Sequence, residues 1–203
     1  MISLYAFVGG LRELSGAPKL EAVRAAGLVA VIGRDVDDDA LQHGLVVQEL
    51  LDCADAVLPA RFGERFPDVD ALVAAVGEHA GELRRRLAHV EGCVELAVRV
   101  GRPAEERPRR AADGSAYMRM QLRAASADAA AGSALHELLV RCARAAVVAD
   151  NGASRFVHDA SYLVERGAVD AFAARVDAYA TAHPELSLVC TGPWAPATFA
   201  GAA

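Results

Sequence analysis

From Asp68 to Val90 apolar side chains recur every three or four residues, at Val69, Leu72, Val73, Val76, Ala80, Leu83, Leu87 and Val90. Charges fill the other face, so the stretch predicts an amphipathic helix. Directly after it Val94, Leu96, Val98 and Val100 alternate with Glu95, Ala97 and Arg99. A period of two is that of a strand with one face buried.

These two periods divide the rest of the chain. In the first half a strand runs from Ile2 to Val8 and stops at Gly9-Gly10, and a second, Leu28 to Ile32, lies between Gly27 and Gly33. The acidic cluster Asp35 to Asp39 suits a helix start, where carboxylates meet the positive end of the dipole. The helix it opens reaches about Asp55, with Leu41, Leu45, Val46 and Leu50 expected on its inner side. A short apolar segment, Ala56 to Gly63, follows.

In the second half, residues 101–114 hold Pro103, Pro108 and several charges and read as an exposed loop. A long helix is expected from about Ser115 to Arg144, broken at Gly132, with Leu135, Leu138, Leu139 and Cys142 as its stripe. Ala145–Asp150 and Ser154–Val164 read as strands joined at Asn151-Gly152, because Asn-Gly supplies the two positive-φ residues of a tight hairpin turn. A helix over Val169–Ala182 should bury Val169, Phe172, Val176 and Ala180 before His183-Pro184 ends it. Leu186–Cys190 is the last strand. From residue 93 the order is β-α-β-β-α-β, the ferredoxin-like pattern. The fold class is α+β, with an N-terminal α+β domain over 1–91 and a ferredoxin-like domain over 92–203 that carries a Pro/Trp tail.

Composition narrows the function classes. Of 203 residues 54% are hydrophobic and 24% charged, enough for a core and too apolar for disorder. The net charge of −6 sits in the first half, where residues 1–101 carry 10 basic and 16 acidic side chains. That half repels phosphate, so nucleic acid is a poor partner. The opening segment lacks a basic leader, and the uncharged run from Leu186 to Ala203 is interrupted by Pro193 and Pro196. Neither a secretory signal nor a membrane helix is expected, and a cytoplasmic location follows. Cys53, Cys93, Cys142 and Cys190 stand far apart with no Cys-x-x-Cys pair and read as small buried hydrophobes.

The sequence offers little chemistry. None of the six histidines stands three or four residues from another, so no helix presents a histidine pair to a metal. Nucleophile-elbow, phosphate-loop and dinucleotide-fingerprint patterns are absent. No catalytic, cofactor or metal residue is expected.

Two segments are unusual for plain core. Val57 to Gly63 places Pro59, Arg61 and Gly63 at the end of an apolar strand, and Thr191 to Phe199 sets the single tryptophan, Trp194, between Pro193 and Pro196. Trp194 and Phe199 read as a rigid tail covering one face of the fold, or as an interface anchor, since Trp and Arg are enriched at binding hot spots. Arg61 reads as a buried ion pair or as a partner contact. The reading carried forward sets Arg61 and Trp194 near the junction of the halves, Arg61 paired with a carboxylate and Trp194 packed on the second sheet.

The same segments resemble the gas vesicle protein F/L family, in order along nearly the whole chain. Leu58, Pro59, Arg61, Phe62 and Gly63 match its Leu-Pro-x-Arg-Phe-Gly, Gly92-Cys93-Val94-Glu95 its Gly-x-Val-Glu, Ala160-Ser161-Tyr162-Leu163-Val164 its Ala-Ala-Tyr-Leu-Val, and Thr191-Gly192-Pro193-Trp194 its closing signature. Glu64-Arg65-Phe66 and Ala195-Pro196-Ala197-Thr198-Phe199 depart from it, the latter lacking a tyrosine. The resemblance implies two α+β domains, the second a modified ferredoxin-like one. It also implies a non-enzymatic accessory or minor role in gas vesicle assembly, in contact with the hydrophobic shell protein and other accessory proteins. On that basis Leu58, Pro59, Arg61, Phe62, Gly63, Tyr162, Gly192, Pro193, Trp194 and Phe199 are the structural or partner-contact candidates. The alternative is a small-molecule enzyme or ligand-binding regulatory domain on a ferredoxin-like scaffold, a fold that hosts many functions.

Overall fold

The computed structural model describes residues 1–14, 20–34, 39–102, 114–149 and 156–201. The chain divides into two units. One comprises Met1–Glu95 together with Trp194–Ala203, and the other Leu96–Pro193.

The first unit is built on β1 (Ile2–Gly9), whose residues from Ile2 to Val8 are all buried. Such a run needs cover on both faces of its sheet. Its sheet has the order β2 (Leu20–Ala25), β3 (Leu28–Arg34), β1, β4 (Ala56–Pro59), and the short β5 (Arg65–Phe66) also pairs with β1. β1 lies antiparallel to β3, with a register shift between Leu4 and Ala6 that leaves Tyr5 as the extra residue. β2 is an unexpected strand. It joins β3 through Ala26 and Gly27, both at positive φ, a tight turn made without the Asn-Gly signal.

Helices α1 (Ala40–Cys53) and α2 (Val69–Val90) start at Asp39 and Asp68, whose side chains accept from the backbone N–H three residues on. Of the acidic cluster, residues 35–38 lie outside the described part. The inner face of α1 differs from the expected stripe. His43, Val46, Val47, Leu50 and Leu51 are buried, whereas Leu41 is 72% exposed and Leu45 is exposed as well. The buried stripe is rotated by about a third of a turn from the expected one, and it includes His43, whose ring lies flat on Tyr5, with centroids 4.9 Å apart.

The second unit holds β6 (Cys93–Gly101), α3 (Gly114–Val140), β7 (Ala145–Val148), β8 (His158–Glu165), α4 (Val169–Ala182) and β9 (Ser187–Trp194), the unit boundaries falling within β6 and at the end of β9. The sheet order is β7-β8-β6-β9, and β7 and β8 are antiparallel. Numbered within this half, the order reads two, three, one, four, the ferredoxin-like arrangement expected from the element order. Leu96, Val98 and Val100 of β6 and Ala160, Tyr162 and Val164 of β8 turn to one face, where they share a core with Leu135 and Leu139 of α3 and Phe172 and Val176 of α4. The Asn151-Gly152 turn and most of the 101–114 loop lie outside the described residues.

Helix α3 is unbroken through Gly132, contrary to the sequence reading. A Cβ there would come within 3.1 Å of the Val157 carbonyl and 3.3 Å of the His158 Cβ, so this glycine serves close packing of helix on strand. The last strand is longer than expected, running through Thr191-Gly192-Pro193 to Trp194, and a short helix, α5 (Ala197–Ala200), follows.

Candidate functional site

The motif segments fall into two groups. The Leu58–Gly63 segment connects β4 to β5, which pair with opposite ends of β1: Pro59 stands opposite Ala6 and Phe66 opposite Ile2. Leu58 is buried, and beyond Pro59 the Ala60 N–H donates to the Tyr5 carbonyl at 2.9 Å. A ring nitrogen of His43 lies 3.3 Å from the Ala60 carbonyl. Gly63, at φ +84, turns the chain, and the Leu4 N–H donates to the Glu64 carbonyl to start β5. Phe62 projects from this turn, 51% exposed, its ring edge-on to His43 at 5.6 Å. Arg61 is exposed, and among the described residues no carboxylate pairs with it. The expected buried ion pair is therefore not formed: the side chain leaves a tight turn on the surface, where water solvates a guanidinium at no burial cost.

The closing segment is held by hydrogen bonds within the first unit, although the sequence reading kept it with the second. The Ala195 N–H donates to the Gln48 side chain at 3.2 Å. Glu95, only 7% exposed, accepts the Thr198 N–H on one oxygen at 2.9 Å and the Thr198 hydroxyl on the other at 2.5 Å. Arg86 donates to the Ala200 carbonyl at 3.0 Å. Ala195, Pro196 and Phe199 are buried by this arrangement. Gly192 has φ +118, a backbone state that side chains disfavour, which accounts for a glycine before Pro193. Trp194, expected to be packed, is 50% exposed. The anchoring groups that follow it leave its ring half in solvent.

Sequence reasoning missed Glu95. The alternation of β6 placed it on the wet face, but Cys93 to Leu96 are buried on both faces. No sequence signal announced it, since nothing in the spacing joins residues 103 apart.

Tyr162 belongs elsewhere. It is fully buried in the second core, beside Phe172 at 5.3 Å. Its hydroxyl lies 3.0 Å from a ring nitrogen of His136 and 3.0 Å from one of His158. Burial pushes the phenol well above its ordinary value. Burial, with the neighbouring His136, holds His158 below its ordinary value, while Asp159 opposes the shift. The two histidines stand 22 residues apart in sequence, so no local spacing announced them. Among the described residues no group of three or more His, Cys, Asp or Glu could hold a metal ion.

A cavity of about 280 Å³ opens in the first unit, between α2 and the sheet. Leu4, Phe66, Leu72, Val76 and Leu83 line it, with His79 and the ion-paired Glu82 and Arg86 also on its wall.

Fold and site together define an α+β protein of two units, the second ferredoxin-like, with exposed aromatic side chains on braced motif segments of the first. The chain belongs to the gas vesicle synthesis protein GvpL/GvpF family, whose model matches residues 4–201. It is 29% identical to gas vesicle protein F2 of Halobacterium salinarum over 92% of this chain and 82% of that protein. It is 30% identical to gas vesicle protein L of a Streptomyces species over 82% and 70%. The crystal structure of gas vesicle protein GvpF from Anabaena matches the fold with a TM-score of 0.82 at 14% identity, over 100% of this chain and 98% of that one. The role of the chain lies in gas vesicle synthesis. No helix among the described residues is long and apolar enough to cross a membrane.

Proposed function

We propose that this protein is a non-enzymatic accessory component of gas vesicle assembly, working in the cytoplasm and at the vesicle, that binds the hydrophobic shell protein and, with it, other accessory proteins. The supporting observation is the pair Phe62 and Trp194. Both are large apolar rings, both are half exposed, and both sit on segments fixed by hydrogen bonds rather than on loose loops. A pre-positioned aromatic loses little conformational freedom when a partner covers it, which is how hot-spot residues contribute to affinity. Leu41 and Leu45, exposed one turn apart on α1, add apolar surface to the same unit.

The contact is mainly apolar, so its strength depends weakly on salt. The test is binding of purified shell protein to the wild type and to the double variant Phe62→Ala, Trp194→Ala. The expected result is wild-type binding that changes less than about threefold between low and physiological salt, and a loss of about tenfold or more in the variant at a temperature where it remains folded. Absence of wild-type binding, or full binding by the variant, overturns the reading.

A further inference from the structure

A strand irregularity shapes the cavity between α2 and the first sheet. Leu4 and Phe7 are three residues apart on β1 and would face opposite sides of a regular strand. The extra residue at Tyr5 shifts the alternation, and both line this one space. The α2 residues on its wall recur every three or four positions from Leu72 to Arg86, one face of the helix. Ala75 contributes only a methyl group there, and Phe66 of β5 stands on a further side. The volume of about 280 Å³ exceeds the roughly 150 Å³ of an apolar cavity that takes up benzene, so a leucine or phenylalanine side chain fits.

The wall also carries two carboxylates, Glu64 and Glu82, and one guanidinium, Arg86. Glu82 is ion-paired with Arg86, so among the described residues the charge left over on the wall is that of Glu64, an exposed residue two positions from Phe66. An apolar hollow with a carboxylate at its rim is complementary to an aliphatic side chain that has a cation beside it, and it repels an anionic ligand. The hollow also borders both motif segments of this unit. Glu64 directly follows Gly63 and stands two residues from Phe62, and Arg86 donates to the Ala200 carbonyl of the closing segment. A partner that covers Phe62 therefore comes within reach of Glu64.

Resting on the shell-protein binding proposed above, we infer that the cavity seats an aliphatic side chain of the shell protein, while a lysine or arginine of the same protein pairs with Glu64. A pocket already formed in the free protein can desolvate such an anchor fully, which is what places hot-spot residues in pockets. The flanking ion pair is exposed and adds little strength, in keeping with a contact that depends weakly on salt. Its part is to select, since a partner with a carboxylate at that point meets Glu64 as a like charge.

The test is shell-protein binding by the full chain beside two variants, Ala75→Phe, which fills the cavity, and Glu64→Lys, which reverses the charge at its rim. With the variants confirmed folded by circular dichroism, A75F should weaken binding about tenfold or more and E64K about threefold or more. Glu64 is exposed, so E64K keeps the test in force should A75F fail to fold. Methyl NMR on the wild type supplies a readout free of substitution, with octylamine and octanoate as probes. Octylamine should shift the methyl signals of Leu72, Val76 and Leu83 saturably, at concentrations at least about threefold lower than octanoate needs. Shell protein bound equally well by the wild type and by either folded variant overturns this inference and leaves the proposed function standing. So do methyl signals that stay in place, or that move equally with both probes. A wild type that binds no shell protein overturns the proposed function and this inference together.

Discussion

The first unit buries a carboxylate and the second buries a phenol, and the two are satisfied in opposite ways. Glu95 is acceptor-only and takes both donors of one residue, the N–H and hydroxyl of Thr198, from a segment that would otherwise be a loose end. Tyr162 carries one proton and sits between two imidazole nitrogens, each 3.0 Å away. Its hydroxyl can donate to one ring only, so the other ring must donate to it. The carboxylate is a latch: it fixes one piece of chain to another and is indifferent to where protons lie so long as it stays ionised. The phenol is a proton-ordered knot, satisfied only while one of the two facing nitrogens is bare. A charged acceptor suits the tail because one of its two donors is a backbone N–H, which no substitution short of proline removes. A neutral trio suits the core because its three rings also fill volume.

The comparison breaks most visibly at Tyr162. Removing the ring in Tyr162→Ala leaves a cavity among Phe172, Val164 and the α3 leucines, and should cost about 3–5 kcal/mol, as for other large buried aromatics. Tyr162→Phe keeps the volume and removes the hydroxyl, and should cost about 1–3 kcal/mol because one buried and one part-buried ring nitrogen lose their partner. Urea unfolding of both variants separates the contributions. If Tyr162→Phe matches the wild type, the ring matters and the knot does not.

At Glu95 the expected loss is smaller, about 1.5–3 kcal/mol for Glu95→Ala, since a charged acceptor is removed from two donors that remain partly buried. Glu95→Gln should fall between, because its amide offers one acceptor where two are used. Trp194 is the single tryptophan of the chain and lies four residues before Thr198. Its emission should therefore report release of the latch, shifting to the red in Glu95→Ala before the bulk of the unit unfolds. Emission identical to the wild type in a destabilised variant would mean that the tail has other sufficient anchors.

Acid distinguishes the two clusters more gently. His158 has a folded-state pKa below its ordinary value of 6.5, from burial and from His136. The unfolded chain then binds more protons than the folded one below that value, so the contribution of His158 to stability is present above pH 6.5 and is lost as pH falls toward the folded pKa. Melting temperature should decline on acidification through this window in the wild type and decline less in His158→Gln. Equal declines would place the acid sensitivity in another group.

Which of these features the sequence disclosed follows from how far each interaction reaches. The helix from Val69 to Val90, the alternating strand at Cys93–Gly101 and the β-α-β-β-α-β order were legible because they depend on local period. β2 was not, since Ala26-Gly27 makes the turn that Asn-Gly usually signals. Glu95 and Thr198, and His136 with His158, meet only in three dimensions, and no spacing rule joins them. Gly132 looked like a helix break and proved to be a packing contact, because a glycine's reason lies in what approaches it. The surroundings of the motif side chains were not legible either: Tyr162 is core, while Arg61 and Trp194 reach solvent.

That difference in exposure sets the smallest expected effect. Arg61 leaves a surface turn with no carboxylate partner among the described residues, so Arg61→Ala should change stability by no more than about 0.5 kcal/mol, the range of ordinary surface substitutions. Trp194 is half covered, so Trp194→Ala should cost about 1–2 kcal/mol, well below a fully buried aromatic. A buried ion pair at Arg61 would instead make its removal cost about 3–5 kcal/mol by stranding the carboxylate. Chemical denaturation of Arg61→Ala and Trp194→Ala, each beside Glu95→Ala, therefore ranks the three positions. A loss at Arg61 as large as at Glu95 would show that the Leu58–Gly63 turn is braced by its arginine rather than by the backbone bonds of Ala60 and Glu64, and would reverse the assignment of Arg61 to the free surface.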